Sequence, residues 1–327
     1  MSEKSKTLKI SVGVVTRNRP RMLQQLLGSW ARMTLPENAE VSFLVVENDS
    51  QLTIAEVVEE FKTKLPNAKV TYDLETALGI PSARNRLLRL AIDEGSDFLA
   101  MMDDDEVVDQ NWLVALFGEQ QRRNLDLVGG PVRTDESSQK LSFIQKINFR
   151  GLVSRAERVE RNALNLFETG QDQFVTIVTN NWLCRLKFLL ENDIWFDRSL
   201  AFSGGSDTKI YRAIQAHGGK TGWAPNAIVS EEIPVSRLSP RYHFKRGRDQ
   251  SIAAYWTREN EGRKFLRLRL AVTSVIRVFS GIVRLLLVPF TRGRSFILAM
   301  RSFGASVGCI LALFGRRSEH YRNVAGD

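Results

Sequence analysis

Residues 98–112 read FLAMMDDDEVVDQNW, an apolar run that ends in Asp103, Asp104, Asp105 and Glu106. Like charges packed this closely repel one another, and none of them is cheap to bury. The run therefore has to surface where cations or water can join it. Asp103 and Asp105 form a D-x-D pair at a strand exit. Carboxylates at i and i+2 of an extended segment point the same way, so two can converge on one hard divalent cation. Magnesium or manganese suits such oxygen ligands and commonly also takes substrate phosphate oxygens. The simpler alternative is a solvated acidic turn ahead of a helix, favoured by the helix dipole. An EF-hand loop is excluded, because Val108 stands where that loop needs its glycine.

Working outward, LKISVGVVT (8–16), VSFLVVEND (41–49) and AKVTYDL (68–74) have the β-branched content of strands. PRMLQQLLGSWARM (20–33), TIAEVVEEFKTKL (53–65) and IPSARNRLLRLAIDEG (80–95) carry helical periodicity between them. This alternation predicts an α/β fold with an open, mostly parallel sheet built from right-handed crossovers and flanked by helices. Ligands of such sheets sit outside the carboxyl ends of the strands. VVEND and MMDDDE both place acidic or amide groups there, at the mouth of a cleft. Beyond residue 113, LDLVGGPV (125–132) reads as strand and turn, and residues 140–160 as a linker or excursion. FVTIVTNNWLCRLKFLL (174–190) reads as strand then helix. A further helix opens at Ser206 and Asp207, either of which can serve as its N-cap.

Composition narrows the partners. Of the formal charge of +9 on 327 residues, residues 261–327 carry all of it, with twelve Lys/Arg against three Asp/Glu. The basicity belongs to the tail, so nucleic acid is not the expected partner. Cys184 and Cys309 have no metal-type spacing and read as packing residues of a reducing compartment. The N-terminal residues lack the apolar core of a secretory signal, which predicts a catalytic part that stays in the cytoplasm. No G-x-x-x-x-G-K-[ST] loop is present, which argues against a P-loop enzyme.

VVTRNRP after the first strand, VVENDS after the second, GIPSARN (79–85), the D-x-D and GGSD (204–207) follow one another in an order that resembles family 2 glycosyltransferases. The likeness is strongest to bacterial enzymes building exopolysaccharide of the succinoglycan type, and runs from about Lys9 to Arg248. It implies a GT-A fold and an inverting transfer of sugar from a nucleotide-sugar donor, UDP-linked, to a hydroxyl of a lipid-linked saccharide. Thr16, Arg17 and Pro20 would edge the nucleotide pocket. Glu47, beside Asn48, stands where the family usually has an aspartate on the uracil base. Arg84 and Asn85 match the segment near the nucleotide sugar, and Asp104 joins the donor-binding set. Asp103 and Asp105 would hold Mg2+ or Mn2+ on the diphosphate, with Glu231 or Glu232 near the metal or acceptor and Arg237 near the diphosphate. Asp207 matches the general base that closes a G-G-E-D motif, with Ser206 in place of the glutamate. His243 reads as a helix-surface residue. Two other functions compete: a sugar nucleotidyltransferase, which normally needs a glycine-rich loop where this chain has TRNRP, and a membrane-attached nucleotide-sugar-binding protein without catalysis.

The expected division is a GT-A catalytic domain over residues 1–260 and a basic, amphipathic, membrane-associating helical region over 261–327. Arg277 and Arg284, seven residues apart, fall on one helical face opposite Val, Ile, Leu and Phe. Two arginines near the middle disfavour a spanning helix and favour one lying in the interface of an anionic membrane. After Arg301 the uncharged run has 14 residues, short of the roughly 20 needed to span. The expected location is the cytoplasmic face of the bacterial inner membrane, peripheral or monotopic. A helical hairpin packed on the catalytic domain is the alternative.

Overall fold

The computed structural model describes residues 7–135, 140–201, 205–260, 265–291 and 294–316. Its centre is a seven-stranded sheet in the order β3-β2-β1-β4-β8-β6-β9. The strands are β1 (Leu8–Thr16), β2 (Ala39–Glu47), β3 (Lys69–Leu74), β4 (Phe98–Asp103), β6 (Leu127–Gly129), β8 (Asn181–Arg185) and β9 (Thr221–Trp223). All neighbours pair in parallel except β8, which runs antiparallel to β4 and β6. The mostly parallel α/β sheet expected from the alternation is what forms.

The sheet is buried on both faces because its strands are apolar at nearly every position, as doubly covered strands require. On one face Ile10, Val12, Val14, Phe43 and Val45 pack against Leu23, Leu26, Leu27 and Trp30 of α1 (Pro20–Trp30) and Phe61 of α2 (Ala55–Lys64). On the other, Leu44, Val46, Leu99 and Met101 meet Leu87 and Leu88 of α3 (Ile80–Asp93) and Ile210 and Ile214 of α7 (Ser206–Ala216). Gly13 allows this second layer to close, since a Cβ there would collide with Leu87.

A smaller three-stranded sheet, β5-β10-β7, stands beside the first. It comprises β5 (Glu106–Val108), β7 (Val132–Asp135) and β10 (Val229–Glu232). The link between the sheets is the acidic run. β4 ends at Asp103, and Asp104 and Asp105 turn the chain before β5 starts. This corrects the extended geometry expected for the D-x-D: a turn, not strand pleating, sets how Asp103 and Asp105 face each other.

Residues 140–160, expected as a linker, lie mostly in a 26-residue helix, α5 (Phe143–Glu168). Ser142 and Gln145 form a capping box at its start. Its apolar stripe is thin, with Asn148, Phe149 and Ala163 its buried residues, so periodicity gave little sign of it. The strand expected at the start of 174–190 begins only at Asn181, and α6 (Leu186–Glu191) follows it. α4 (Trp112–Arg123) completes the helices of this part.

Three helices end the chain: α8 (Pro240–Asn260), α9 (Leu266–Leu286) and α10 (Arg294–Leu313). α10 packs on α8, α9 and α5. α8 and α10 run side by side in the same direction, with Phe244 against Gly304, Arg248 against Gly308 and Trp256 against Arg316. The approach is so close that a Cβ on Gly304 would strike the carbonyl oxygen of Phe244, and one on Gly308 that of Arg248. This is the small-xxx-small mode of helix packing. Arg277 and Arg284 do share a face of α9, but it is the inner face. Arg277 donates to Ser251 of α8 at 3.4 Å, and Arg284 to Ser302 of α10 at 2.5 Å. The outer face is the apolar one: Leu268, Val272, Val275, Phe279 and Leu286 are each more than half exposed. α10 passes through Arg301, so Ser295–Leu313 is long and apolar enough to cross a membrane by length and composition, although half of that window is buried inside the protein. The count taken from Arg301 onward missed this.

Gly304→Ala should loosen α10 from α8 and cost about 1–3 kcal/mol by overpacking. Gly118, in α4 with nothing near its missing Cβ, is the control: Gly118→Ala should be neutral or stabilise by up to about 1 kcal/mol. Urea denaturation of the two variants checks both, and equal effects would contradict the close approach.

Candidate active site

Each of the three aspartates has its own arginine, brought from a different element. Arg84 of α3 donates to Asp103 at 2.9 Å. Arg19, just before α1, donates to Asp104 at 2.7 Å and lies 3.6 Å from Asp105. Arg237, in the 3-10 turn Val235–Leu238, lies 3.3 Å from Asp105. These pairings explain how the run tolerates its own repulsion.

Asp104 is the innermost of the three. One of its oxygens accepts from Arg19 and the other from Thr16 at 2.7 Å. Its carboxylate therefore clamps the end of β1 and the entry to α1 onto the turn, and is not open to a donor as the resemblance implied. Burial, with Asp105 adding to it, pushes its pKa up to about 6 against Arg19 and Thr16. Asp103 keeps 45% of its side chain exposed. Its pKa is raised by desolvation and by Asp105 and Asp207, against Arg84. On its α1 side, Asp105 borders a cleft of about 530 Å³ lined also by Gln24, Arg32, Lys64, Asp135 and Glu232.

The second sheet adds two more acids. Glu106 of β5 and Glu231 of β10 are direct cross-strand partners, an arrangement that disfavours like charges. Glu106 is buried, accepts the backbone N–H of Asp103 at 2.7 Å, and has a pKa held well above the carboxylate range by burial and by Asp103 and Asp105. Glu231 is raised too, by burial, Asp105 and Asp103, with Arg237 and Arg246 opposing. Neither Glu106 nor Arg19 was singled out from the sequence. Glu106 continues the acidic run and Arg19 stands in TRNRP, so both were in view without the tertiary context that gives them a task.

Among the described residues, no three His, Cys, Asp or Glu converge as a ready-made metal cage. The donor set nevertheless fits a hard divalent cation. Asp103, Glu106 and Glu231 all have raised pKa values, from burial first and from neighbouring carboxylates second, and a cation beside them would offset both. All the available ligands are oxygens, and magnesium-type ions are commonly held by one or two carboxylates, with water and substrate phosphate completing the shell.

Asp207 lies in the first turn of α7, whose N-cap is Gly205 at φ 90° and has no side-chain capping bond. The cap reading of Ser206 or Asp207 therefore does not hold. Asp207 makes no hydrogen bond or ion pair with another described residue, and its charge is felt by Asp103. Gly204 of the GGSD motif lies outside the described residues.

The remaining sequence-predicted residues mostly build the walls. Glu47 is fully buried, and its oxygens are taken by the backbone N–H of Thr53 at 2.9 Å, the Thr53 hydroxyl and the Tyr72 hydroxyl. Asn48 donates to the carbonyls of Glu75 and Ala77 and accepts from Gly79 N–H, tying down the loop ahead of α3. Asn85 exchanges two hydrogen bonds with the backbone of Phe196. The polar atoms of these three are occupied within the protein, unlike the ligand contacts the resemblance implied. Arg17 lies 3.7 Å from Asp49, and Pro20 sits in the first turn of α1.

His243 corrects another expectation. It is 1% exposed, not on the helix surface, and neither ring nitrogen has a hydrogen-bond partner. Burial, Arg301 and Arg246 push its pKa down to about 4.

A mixed sheet with its carboxylates at the strand exits is the architecture of GT-A glycosyltransferases, and solved structures agree. The mannosyltransferase PcManGT from Pyrobaculum calidifontis, in complex with GDP-Man and Mn2+, superposes with a TM-score of 0.54 at 13% identity, covering 94% of this chain and 76% of that one. Residues 1–349 of S. aureus TarS give 0.51 at 15% identity, covering 94% and 92%; the chain spans 39% of the longer TarS structure. The Glycosyl transferase family 2 pattern matches residues 11–185. The succinoglycan biosynthesis protein ExoM of Rhizobium meliloti (strain 1021) is 30% identical over 242 residues, 74% of this chain and 72% of that protein. The chain belongs to glycosyltransferase family 2.

Two outcomes follow from the site. Arg19→Met strands the buried Asp104 charge and should cost about 3 kcal/mol, part of which Asp104→Asn in the same chain should restore; urea denaturation of the single and double variants reads this. His243, facing Tyr242, Arg246 and Arg301, has a folded pKa below its unfolded value. Its contribution is present above about pH 6.5 and lost as pH falls to about 4, a span of roughly 3 kcal/mol. His243→Phe should flatten stability against pH across that window.

Proposed function

We propose that this glycosyltransferase moves a hexose, with inversion, from a UDP-linked donor to a hydroxyl of a lipid-linked saccharide in exopolysaccharide synthesis. The observation that carries the reading is the Asp207 carboxylate, without a partner among the described residues, within electrostatic range of Asp103 and clear of the helix cap. A general base must be free to reach the acceptor hydroxyl at about 2.6–3.2 Å. Asp207 takes the acceptor proton as the hydroxyl oxygen attacks C1 of the sugar, and the nucleoside diphosphate departs from the opposite face. Arg84 and Arg237, each pairing with an acid at the cleft floor, supply positive charge to the departing diphosphate. Asp103, Asp105 and Glu231 would hold Mg2+ or Mn2+, which when bound supplies Lewis-acid neutralisation of the same charge.

Residues 1–260 carry the catalysis, and 261–327 attach it to the membrane. Support for the second part comes from the α9 face: Leu268, Val272, Val275, Phe279 and Leu286 point outward while both mid-helix arginines point in. Such a stripe suits the boundary between headgroups and acyl chains. We place the enzyme at the cytoplasmic face of a bacterial inner membrane, where a lipid-linked acceptor would be presented. The relative acting in succinoglycan biosynthesis supports an exopolysaccharide product.

Asp207→Asn should lower the transfer rate by about 10²–10⁴-fold while leaving binding of UDP unchanged. Radiolabelled sugar transfer and calorimetric titration of UDP read the two separately. Unchanged transfer would remove Asp207 from the role of base.

A further inference from the structure

Arg258, in the last turn of α8, and the first two turns of α9 line an apolar cleft of about 490 Å³. Its buried lining is Leu266 and Leu270, which belong to one cluster with Ile252 and Tyr255 of α8. Its open lining is Leu268 and Val272, each more than half exposed. Those two also begin the outward stripe of α9 that continues through Val275, Phe279 and Leu286. The cleft is therefore the inner end of the apolar face of α9.

Among the described residues, Arg258 and Arg269 are the charged members of this lining. Neither makes a hydrogen bond or ion pair with another described residue. Glu259, next to Arg258, acts on Tyr255, as does Arg267. From residue 262 to residue 318 the sequence holds eleven Lys/Arg and no Asp or Glu, so neither α9 nor α10 can supply a counter-charge. Arg269 also stands in the first turn of α9, the end of a helix that favours acids over cations.

Two cations beside an apolar cleft have the chemistry of a receptor for an anionic amphiphile. A guanidinium fork matches a phosphate, and the long arginine stem can lie along an apolar wall with its head at the level of the headgroups. A fully polar ligand would leave the leucines facing water, and a neutral apolar one would leave both arginines without a counter-ion.

We propose that the cleft binds a single anionic phospholipid, with Arg258 and Arg269 on its phosphate and Leu266, Leu268, Leu270 and Val272 against the first carbons of an acyl chain. The inference rests on the membrane attachment proposed above and sharpens it: attachment is fixed at one lipid instead of being spread evenly along α9.

The test uses the full chain and three monomeric probes: dihexanoylphosphatidylglycerol, dihexanoylphosphatidylcholine and glycerol 3-phosphate. Calorimetric titration should give saturable, equimolar binding of the phosphatidylglycerol, at least about fivefold tighter than either other probe. Arg258→Gln combined with Arg269→Gln should weaken it at least about tenfold, and Leu268→Asn should weaken it as well. Arg267→Gln combined with Arg316→Gln removes the same charge from outside the lining and should stay within about twofold. All five positions are exposed, so the variants should keep the fold, which circular dichroism checks. Equal weakening by the two arginine pairs would reveal diffuse surface charge and overturn the site. So would the absence of saturable phosphatidylglycerol binding, or glycerol 3-phosphate binding as tightly as the phospholipid. The attachment itself is read by sedimenting the unmodified chain with vesicles of phosphatidylcholine and phosphatidylglycerol at about three to one. A chain that stays in the supernatant removes the attachment and the site with it. Pelleting that is undiminished in the Arg258 and Arg269 double variant removes the site alone.

Discussion

Three adjacent aspartates share one turn because three arginines reach them from three parts of the chain. Arg19 arrives from the β1–α1 loop, Arg84 from α3 and Arg237 from the segment ahead of α8. Each pairing also pins an element in place. The ion pairs are thus part of the framework, while burial first and neighbouring acids second keep Asp103, Glu106 and Glu231 raised.

The turn can bear this charge because it joins two sheets. β4 brings the chain up through the apolar core and ends at Asp103, and β5 leaves into the smaller sheet, where Glu106 faces Glu231. A strand that simply continued would have carried the acids along its pleat to alternate faces. The turn gathers them instead, with Asp104 inward as the clamp and Asp103 part-exposed.

The parts of the fold governed by local pattern were legible. β1 and the helices flanking it follow from runs such as LKISVGVVT and from the period of PRMLQQLLGSW. α5 was not legible, because it buries only a few side chains and leaves little apolar period to read. At the site, residue type indicated the acids, Arg84 and Asp207, but not which of their atoms would be free. Glu47, Asn48 and Asn85 show the reason. Their functional groups bond to Thr53 and Tyr72, to the loop before α3, and to Phe196, and the last lies over a hundred positions away in sequence. His243 fails for a related reason. A polar helix signals solvent, yet the tertiary packing buries the ring.

The 3-10 turn that carries Arg237 to Asp105 passes within two residues into α8, and α8 is seated backbone to backbone against α10 through Gly247, Gly304 and Gly308. Glycine contacts of this kind leave no side-chain cushion between the two rods. Tilting the tail therefore swings the root of Arg237, and with it the charge balance at Asp105. The acid cluster and the last helices are thus joined by one short connection with little slack in it.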